Sequence, residues 1–80
     1  MDTSLKLDLK EGSRIREFVD RIATLPFKAD LSSGKRSVDG KSVLGLFTLD
    51  LSKAVNLTIH AEPAECRDFV GWLGKRGMIR

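Results

Sequence analysis

The spacing of apolar residues switches repeatedly along this chain of 80 residues, and no other feature restricts its fold as much. Some segments place an apolar side chain at every second position, as strands with one buried face do. Others follow the i, i+3, i+4, i+7 spacing of an amphipathic helix. Because the chain is long enough for only one small core, both patterns must belong to a single α+β domain that spans residues 1–80.

Four strands are predicted from the alternating segments and from the turn residues that separate them. The first strand covers residues 5–9, and the last covers residues 55–60. Residues 27–31 and 35–39 flank a Ser-Ser-Gly turn, so we expect these two segments to pair as a hairpin. The face of the sheet opposite the apolar side chains is predicted to be polar and open to water; it carries Lys6, Asp8, Asn56, Thr58 and His60.

Three helices are predicted between and after these strands. The first begins at Ser13, whose hydroxyl is expected to cap it. A short helical turn over residues 42–47 is capped by Ser42, and the last helix has Pro63 as its first residue and ends at Gly74. The apolar stripes of the two longer helices are Ile15, Phe18, Val19 and Ile22 in the first and Cys66, Phe69, Val70 and Leu73 in the last.

The predicted elements follow one another as strand, helix, strand, strand, helix, strand and helix. This βαββαβα order is the split βαβ pattern extended by one helix. It predicts a four-stranded antiparallel sheet with all three helices on one face, because only one face of the sheet is apolar.

The charge balance is mildly basic, with 14 Lys and Arg residues against 11 Asp and Glu residues. Only the tail, with Lys75, Arg76 and Arg80, is locally basic; elsewhere cations alternate with acids along the chain. The predicted central strands also lack the aromatic residues that stack on bases in RNA-recognition sheets. Nucleic acid is therefore not the expected partner, and a small basic nucleic-acid-binding domain is kept as an alternative.

Few residues are suited to covalent or metal chemistry. Cys66 is the single cysteine and lies on a predicted buried stripe, so it can form neither an internal disulfide nor a cysteine cluster for zinc. His60 is the single histidine and has no evident metal-binding neighbours. We expect no enzymatic activity, no cofactor and no metal site. Because the single cysteine leaves the fold without a disulfide, we expect a protein of the reducing cytoplasm. The most apolar stretch is too short to span a bilayer, so we expect no membrane insertion.

The segment around Ser42 is the strongest candidate for a functional surface. Ser42 follows Lys41 at a predicted helix start, where an added phosphate would meet free backbone N–H groups. The helical turn behind it is too short to bury Val43, Leu44 and Phe47 together, so we expect part of this apolar patch to face outward as a docking surface.

Residues 37–49, with the sequence Ser-Val-Asp-Gly-Lys-Ser-Val-Leu-Gly-Leu-Phe-Thr-Leu, resemble the regulatory-serine region of HPr, the phosphocarrier of the bacterial phosphoenolpyruvate:sugar phosphotransferase system. The resemblance extends over residues 27–62, and its most specific part is residues 41–45. It implies the HPr-like βαββαβα fold. It also implies that Ser42 is a site for an HPr kinase and that Val43, Leu44 and Phe47 contact partner proteins.

The chain departs from HPr where that family carries its phosphocarrier histidine. The family has a Gly-Ile-His-Ala-Arg-Pro type motif at the start of its first helix, whereas this chain has Gly-Ser-Arg-Ile-Arg-Glu at residues 12–17. A serine phosphate is much less labile than a phosphohistidine, so a reversible phosphoryl relay is not expected. Ser13, Arg14 and Arg16 could still hold an anion noncovalently at the helix start.

The resemblance therefore predicts a regulatory or protein-interaction module that lacks the phosphocarrier histidine. Its expected partner-binding surface consists of Lys41, Ser42, Val43, Leu44 and Phe47. Its expected partners are proteins of the phosphotransferase or carbon-regulation pathway, such as an HPr kinase, enzyme I or a transcriptional regulator. The alternative within the same family is a phosphocarrier with an unusual acceptor, either Ser13 or His60.

Overall fold

The computed structural model describes residues 2–80, and its elements follow the predicted order. The strands form one four-stranded sheet with the order β1-β4-β2-β3, in which every neighbouring pair is antiparallel. The predicted α+β class with three helices is confirmed. The elements are β1 (Thr3–Leu7), α1 (Gly12–Ile22), β2 (Ala29–Ser33), β3 (Arg36–Asp39), α2 (Val43–Leu46), β4 (Val55–Ile59) and α3 (Arg67–Lys75).

The register of the sheet separates an apolar face from a polar face. One apolar row crosses all four strands as Leu5, Leu57, Leu31 and Val38, and it packs in the core with residues of the helices. The helices contribute Phe18, Ile22, Leu46, Phe69 and Leu73 to the same core. Two rows on the opposite face are polar, as the alternation predicts; they are Ser4, Thr58, Asp30 and Asp39, and Lys6, Asn56, Ser32 and Ser37.

Two strands lie at slightly different positions from those predicted. β1 covers Thr3–Leu7 rather than residues 5–9, because β4 begins at Val55 and its first residue pairs with Leu7. Leu9 is nevertheless fully buried, as its place in the alternation indicates. β2 begins two residues later than expected, at Ala29, where its pairing with Ile59 of β4 starts.

The starts of the two longer helices also differ from the prediction. Glu11, not Ser13, is the N-cap of α1, because the Glu11 carbonyl accepts hydrogen bonds from Arg14 N at 3.0 Å and Ile15 N at 3.2 Å. Ser13 is already inside the helix, and its side chain is exposed. Pro63 lies in a separate turn, and α3 begins only at Arg67.

The end of the chain contributes to the core in a way that the sequence pattern did not reveal. Gly74 lies inside α3, which ends at Lys75, and Gly77 then adopts a positive φ of 70° that turns the chain back. Met78 is completely buried, and Ile79 forms an antiparallel bridge with Leu7. Residues 78–80 therefore lie along the outer edge of β1.

No helix among residues 2–80 has the length and apolar character needed to cross a membrane.

Candidate functional site

Ser42 caps α2 as the sequence predicts. Its backbone is extended, with φ −92° and ψ 110°, and its Oγ accepts a hydrogen bond from the backbone N–H of Gly45 at 3.1 Å. Its carbonyl accepts from Leu46 N at 3.0 Å. These bonds satisfy backbone groups at both ends of the first turn, so a helix of only four residues can form.

Gly45 allows this short helix to lie close to the sheet. A Cβ at that position would lie 3.1 Å from the Cβ of Val38 on β3 and 3.2 Å from the Oγ of Ser42. Both distances are shorter than ordinary van der Waals contact between such atoms. Any larger residue would therefore push α2 away from β3 or disturb the Ser42 cap.

Because α2 is a single turn, it buries only one of its large side chains. Leu46 points into the core and is 1% exposed, whereas Val43, Leu44 and Phe47 are 43%, 83% and 60% exposed. We call these three residues the α2 patch. Ile79, at 38%, is the only other large apolar side chain with comparable exposure among the residues that the structure describes. The outward orientation that the sequence predicted is thus confirmed, and its role in docking remains a prediction.

The α2 patch borders an apolar groove on α1. Ile15 and Val19 lie one turn apart on α1 and are only partly buried, although they belong to its predicted apolar stripe. The groove has a volume of about 270 Å³, and we call it the α1–α2 groove. Its lining consists of Gly12, Ile15, Arg16, Val19, Asp20, Val43 and Phe47.

Lys41 is held within the chain rather than free beside Ser42. Its Nζ donates a hydrogen bond to the carbonyl of Leu25, just after α1, and its backbone N–H donates to Oδ1 of Asp39 at 2.9 Å. Lys41 therefore connects the start of α2 to the end of α1. A partner that binds this ammonium group must compete with the Leu25 carbonyl.

The three residues predicted to hold an anion at the start of α1 have different environments. Arg14 turns back toward β1, with Nη1 at 3.3 Å from Oδ2 of Asp8 and Nε at 4.0 Å from Glu11. Arg16 lines the α1–α2 groove, and Ser13 is exposed to solvent. The Arg14 guanidinium already has carboxylate partners, so the geometry gives no support to an anion site built from all three.

A further pair of residues, missed in the sequence, supports the end of α2. Arg36 Nε donates a hydrogen bond to Thr48 Oγ1 at 2.9 Å, and the Thr48 hydroxyl donates to the Gly45 carbonyl at 2.6 Å. Arg36 is on β3, twelve residues earlier in the chain. Only the packing of α2 on β3 brings these residues together, so no local pattern could have revealed them.

His60 lies between two carboxylates, although the sequence showed no partner for it. Its Nε2 is 2.6 Å from Oδ2 of Asp30, and its Nδ1 is 3.2 Å from Oδ2 of Asp2. The hydrogen bond to Asp30 is the largest cause that raises the pKa of His60 above its usual value of 6.5, with Asp2 adding to it. The carboxylates meet opposite edges of the ring, so they do not converge on one cation.

These surroundings are unsuited to a phosphoryl acceptor. An imidazole must have a free, unprotonated nitrogen to attack phosphorus, yet both His60 nitrogens face carboxylates that favour the protonated ring. The same carboxylates would repel an incoming phosphate. The structure therefore offers no geometric support for His60 as a replacement for the phosphocarrier histidine.

The remaining candidates are Cys66, a metal site and the basic residues near the end of the chain. Cys66 is buried, as expected, and its Sγ lies 3.5 Å from Oγ1 of Thr3. Within residues 2–80, no group of three His, Cys, Asp or Glu side chains is arranged to hold a metal ion. Arg76 of the basic tail pairs with Glu17 on α1, whereas Arg80 lies beside β1, so the tail does not form one basic surface.

Comparison with known proteins yields neither a matching family model nor a matching curated protein. The arrangement around α2 must therefore be interpreted from its own geometry.

Proposed function

We propose that this chain is an HPr-like protein-interaction module that lacks the phosphocarrier histidine and docks its partners through the α2 patch. The observation that carries the proposal is the exposure of Val43, Leu44 and Phe47 on one turn of helix beside an apolar groove. Three large apolar side chains close together in water are a typical protein-binding feature. In support, the order and pairing of the strands agree with the fold that the resemblance implies.

The groove and the patch suit one apolar anchor from a partner. Val43 and Phe47 line the groove, and Leu44, which follows Val43 in α2, is the most exposed of the three. Burial of a Leu or Phe side chain contributes about 1.5–3 kcal/mol. Arg16 and Asp20 at the groove provide charged groups of both signs that can orient a polar rim around such an anchor.

Phosphorylation of Ser42 is the proposed regulatory step. A phosphate on Oγ would add a charge of about −1.5 to −2 directly before the α2 patch. It would weaken contact with an apolar partner and strengthen contact with a basic one. The ammonium group of the preceding residue, Lys41, would have to leave the Leu25 carbonyl to pair with that phosphate.

The proposed partners are proteins of the phosphotransferase or carbon-regulation pathway, in particular an HPr kinase, enzyme I or a transcriptional regulator. The proposed role is binding in the cytoplasm, without catalysis and without a cofactor. A phosphocarrier role would need Ser13 or His60 as acceptor; Ser13 is exposed on α1, and both ring nitrogens of His60 face carboxylates.

Calorimetric titration with purified enzyme I and with an HPr kinase tests the docking proposal. We expect at least one of these proteins to bind, and we expect Leu44→Ser to weaken that binding about tenfold or more, the loss expected for a buried anchor. The matched control is Lys35→Ser, which changes an exposed residue in the β2–β3 turn and should bind like the unmodified protein. Equal partner affinity of the unmodified protein, Leu44→Ser and Lys35→Ser would contradict the proposal.

A further inference from the structure

A cleft lies where β1, the turn before β4 and the last residue of the chain meet. Its volume is about 710 Å³, against about 270 Å³ for the α1–α2 groove. It shares no lining residue with the α1–α2 groove. We call it the basic cleft; it is lined by Lys6, Lys10, Ser52, Lys53, Ala54 and Arg80.

The fold brings these cations together from three separate parts of the chain. The bridge between Leu7 and Ile79, with a hydrogen bond from Arg80 N to the Lys6 carbonyl at 2.9 Å, places Arg80 beside Lys6. On the other side of β1, the pairing of Leu7 with Val55 brings the turn that carries Lys53 next to the same strand. The cleft is therefore a product of the tertiary fold, and the C-terminal segment is needed to form it.

The four cationic side chains have no ion-pair partner among the described residues, 2–80. The three acids nearest in sequence are Asp8, Glu11 and Asp50, and each has another partner; Glu11 lies 4.0 Å from Nε of Arg14. Asp8 accepts a hydrogen bond from the backbone N–H of Lys10 at 3.1 Å and pairs with Arg14, and Asp50 accepts from the backbone and hydroxyl of Ser52 at 3.1 and 2.5 Å.

The pKa values of Asp8 and Asp50 reflect this environment. The pKa of Asp8 is lowered chiefly by the Lys10 backbone hydrogen bond, with contributions from the charges of Arg14, Lys10 and Arg80. The pKa of Asp50 is lowered chiefly by the Ser52 hydroxyl, and the charge of Lys53 adds to that effect. Asp8 and Asp50 are therefore ionised at neutral pH, but the cleft itself is lined by four cations and by no acidic side chain.

The distribution of charge across the sheet limits the size of an anionic ligand. Next to Lys6, the open face continues with the neutral side chains of Asn56, Ser32 and Ser37. The adjacent row contains Asp30 and Asp39, which would repel a chain of phosphates that extended across the sheet. Only one corner of this face therefore favours negative charge.

We infer that the basic cleft binds a compact anion with two or more phosphate groups, of the pyrophosphate class. Arg80 offers a planar guanidinium that can bond two phosphate oxygens at once, and Lys6 and Lys53 supply point charges beside it. This inference does not depend on the docking function, because the two surfaces have no residue in common.

Calorimetric titration of the full chain with pyrophosphate at low ionic strength tests the inference. The double variant Lys6→Gln/Arg80→Gln should bind pyrophosphate about tenfold more weakly or worse, because two charge-assisted contacts are lost. The control Lys28→Gln/Lys35→Gln removes the same net charge from exposed positions outside the cleft and should change the affinity by about twofold at most.

Three results would overturn the inference. One is the absence of saturable pyrophosphate binding by the unmodified protein. Another is an equal loss of affinity in the two double variants, which would show that only net charge matters. The third is tighter binding of a single-stranded oligonucleotide of about ten bases, weakened by the Lys6→Gln/Arg80→Gln change, which would show that the ligand is nucleic acid.

Discussion

The Oγ of Ser42 lies 3.1 Å from the backbone nitrogen of Gly45, and it would also lie 3.2 Å from a Cβ at that glycine. The Ser42 hydroxyl thus reaches the backbone N–H of Gly45 through space that a side chain at residue 45 would occupy. This relationship fixes a helix of four residues against β3 and directs Val43, Leu44 and Phe47 toward solvent. The proposed docking surface depends on it.

Gly45→Ala should lower the free energy of unfolding by about 1–3 kcal/mol, the usual cost of overpacking, because the new methyl group would meet Val38 and Ser42. Gly71→Ala is the matched control, since a Cβ at Gly71 meets nothing within 4 Å in the middle of α3. That variant should be stabilised by up to about 1 kcal/mol through helix propensity. Urea unfolding measures both changes, and a Gly45→Ala protein as stable as Gly71→Ala would contradict the packing described for α2.

His60 should titrate with a pKa above 6.5, mainly because of its hydrogen bond to Asp30. Asp30→Asn should lower that pKa more than Asp2→Asn does, since Asp30 is closer to the ring, at 2.6 Å against 3.2 Å. An NMR titration of the His60 ring protons measures each value. The reverse order of the two effects, or no effect of either change, would disprove the assigned contacts.

The same contacts predict how His60 affects stability. Because its pKa is higher in the folded state than in the unfolded chain, the protonated ring favours folding. This contribution is fully present below the unfolded pKa and is lost as the pH rises through the folded pKa. Unfolding experiments across that range should show a smaller decrease in stability for His60→Gln than for the unmodified protein.

Met78→Ala should destabilise the protein by about 2–5 kcal/mol, the range for removal of a large buried side chain. Met78 is completely buried although it is the third-last residue of the sequence. Met78→Leu preserves the volume and should cost less than about 1.5 kcal/mol. Thermal unfolding of the two variants compares these costs. A negligible effect of Met78→Ala would mean that the C-terminal segment does not pack along β1.

The sequence predicted the parts of the fold that depend on local spacing. The stripe with Phe18 and Ile22 forms the buried face of α1, and the alternation of Val55, Leu57 and Ile59 forms a central strand. The end of β1 was misplaced because it depends on where β4 begins. The cap of α1 was misassigned because Glu11 supplies it through its backbone, which leaves no side-chain signal.

The candidate sites show the same difference between local features and contacts that are distant in sequence. The Ser42 cap and the exposure of Leu44 follow from a short segment, and the sequence predicted both. The contact between His60 and Asp30 depends on strand register. The position of Arg80 beside Lys6 depends on the return of the chain after Gly77. Such pairings join residues that are distant in sequence, and hydrophobic periodicity alone does not specify them.

The most direct test of the proposed function is the intact mass of the protein after incubation with an HPr kinase and ATP. The account predicts a gain of one phosphate in the unmodified protein and no gain in Ser42→Ala. It also predicts much slower phosphorylation of Leu44→Ser, whose docking patch is impaired while its acceptor serine is intact. No phosphate on the unmodified protein, or a phosphate that persists in Ser42→Ala, would contradict the proposal that α2 is the regulated docking surface of an HPr-like module.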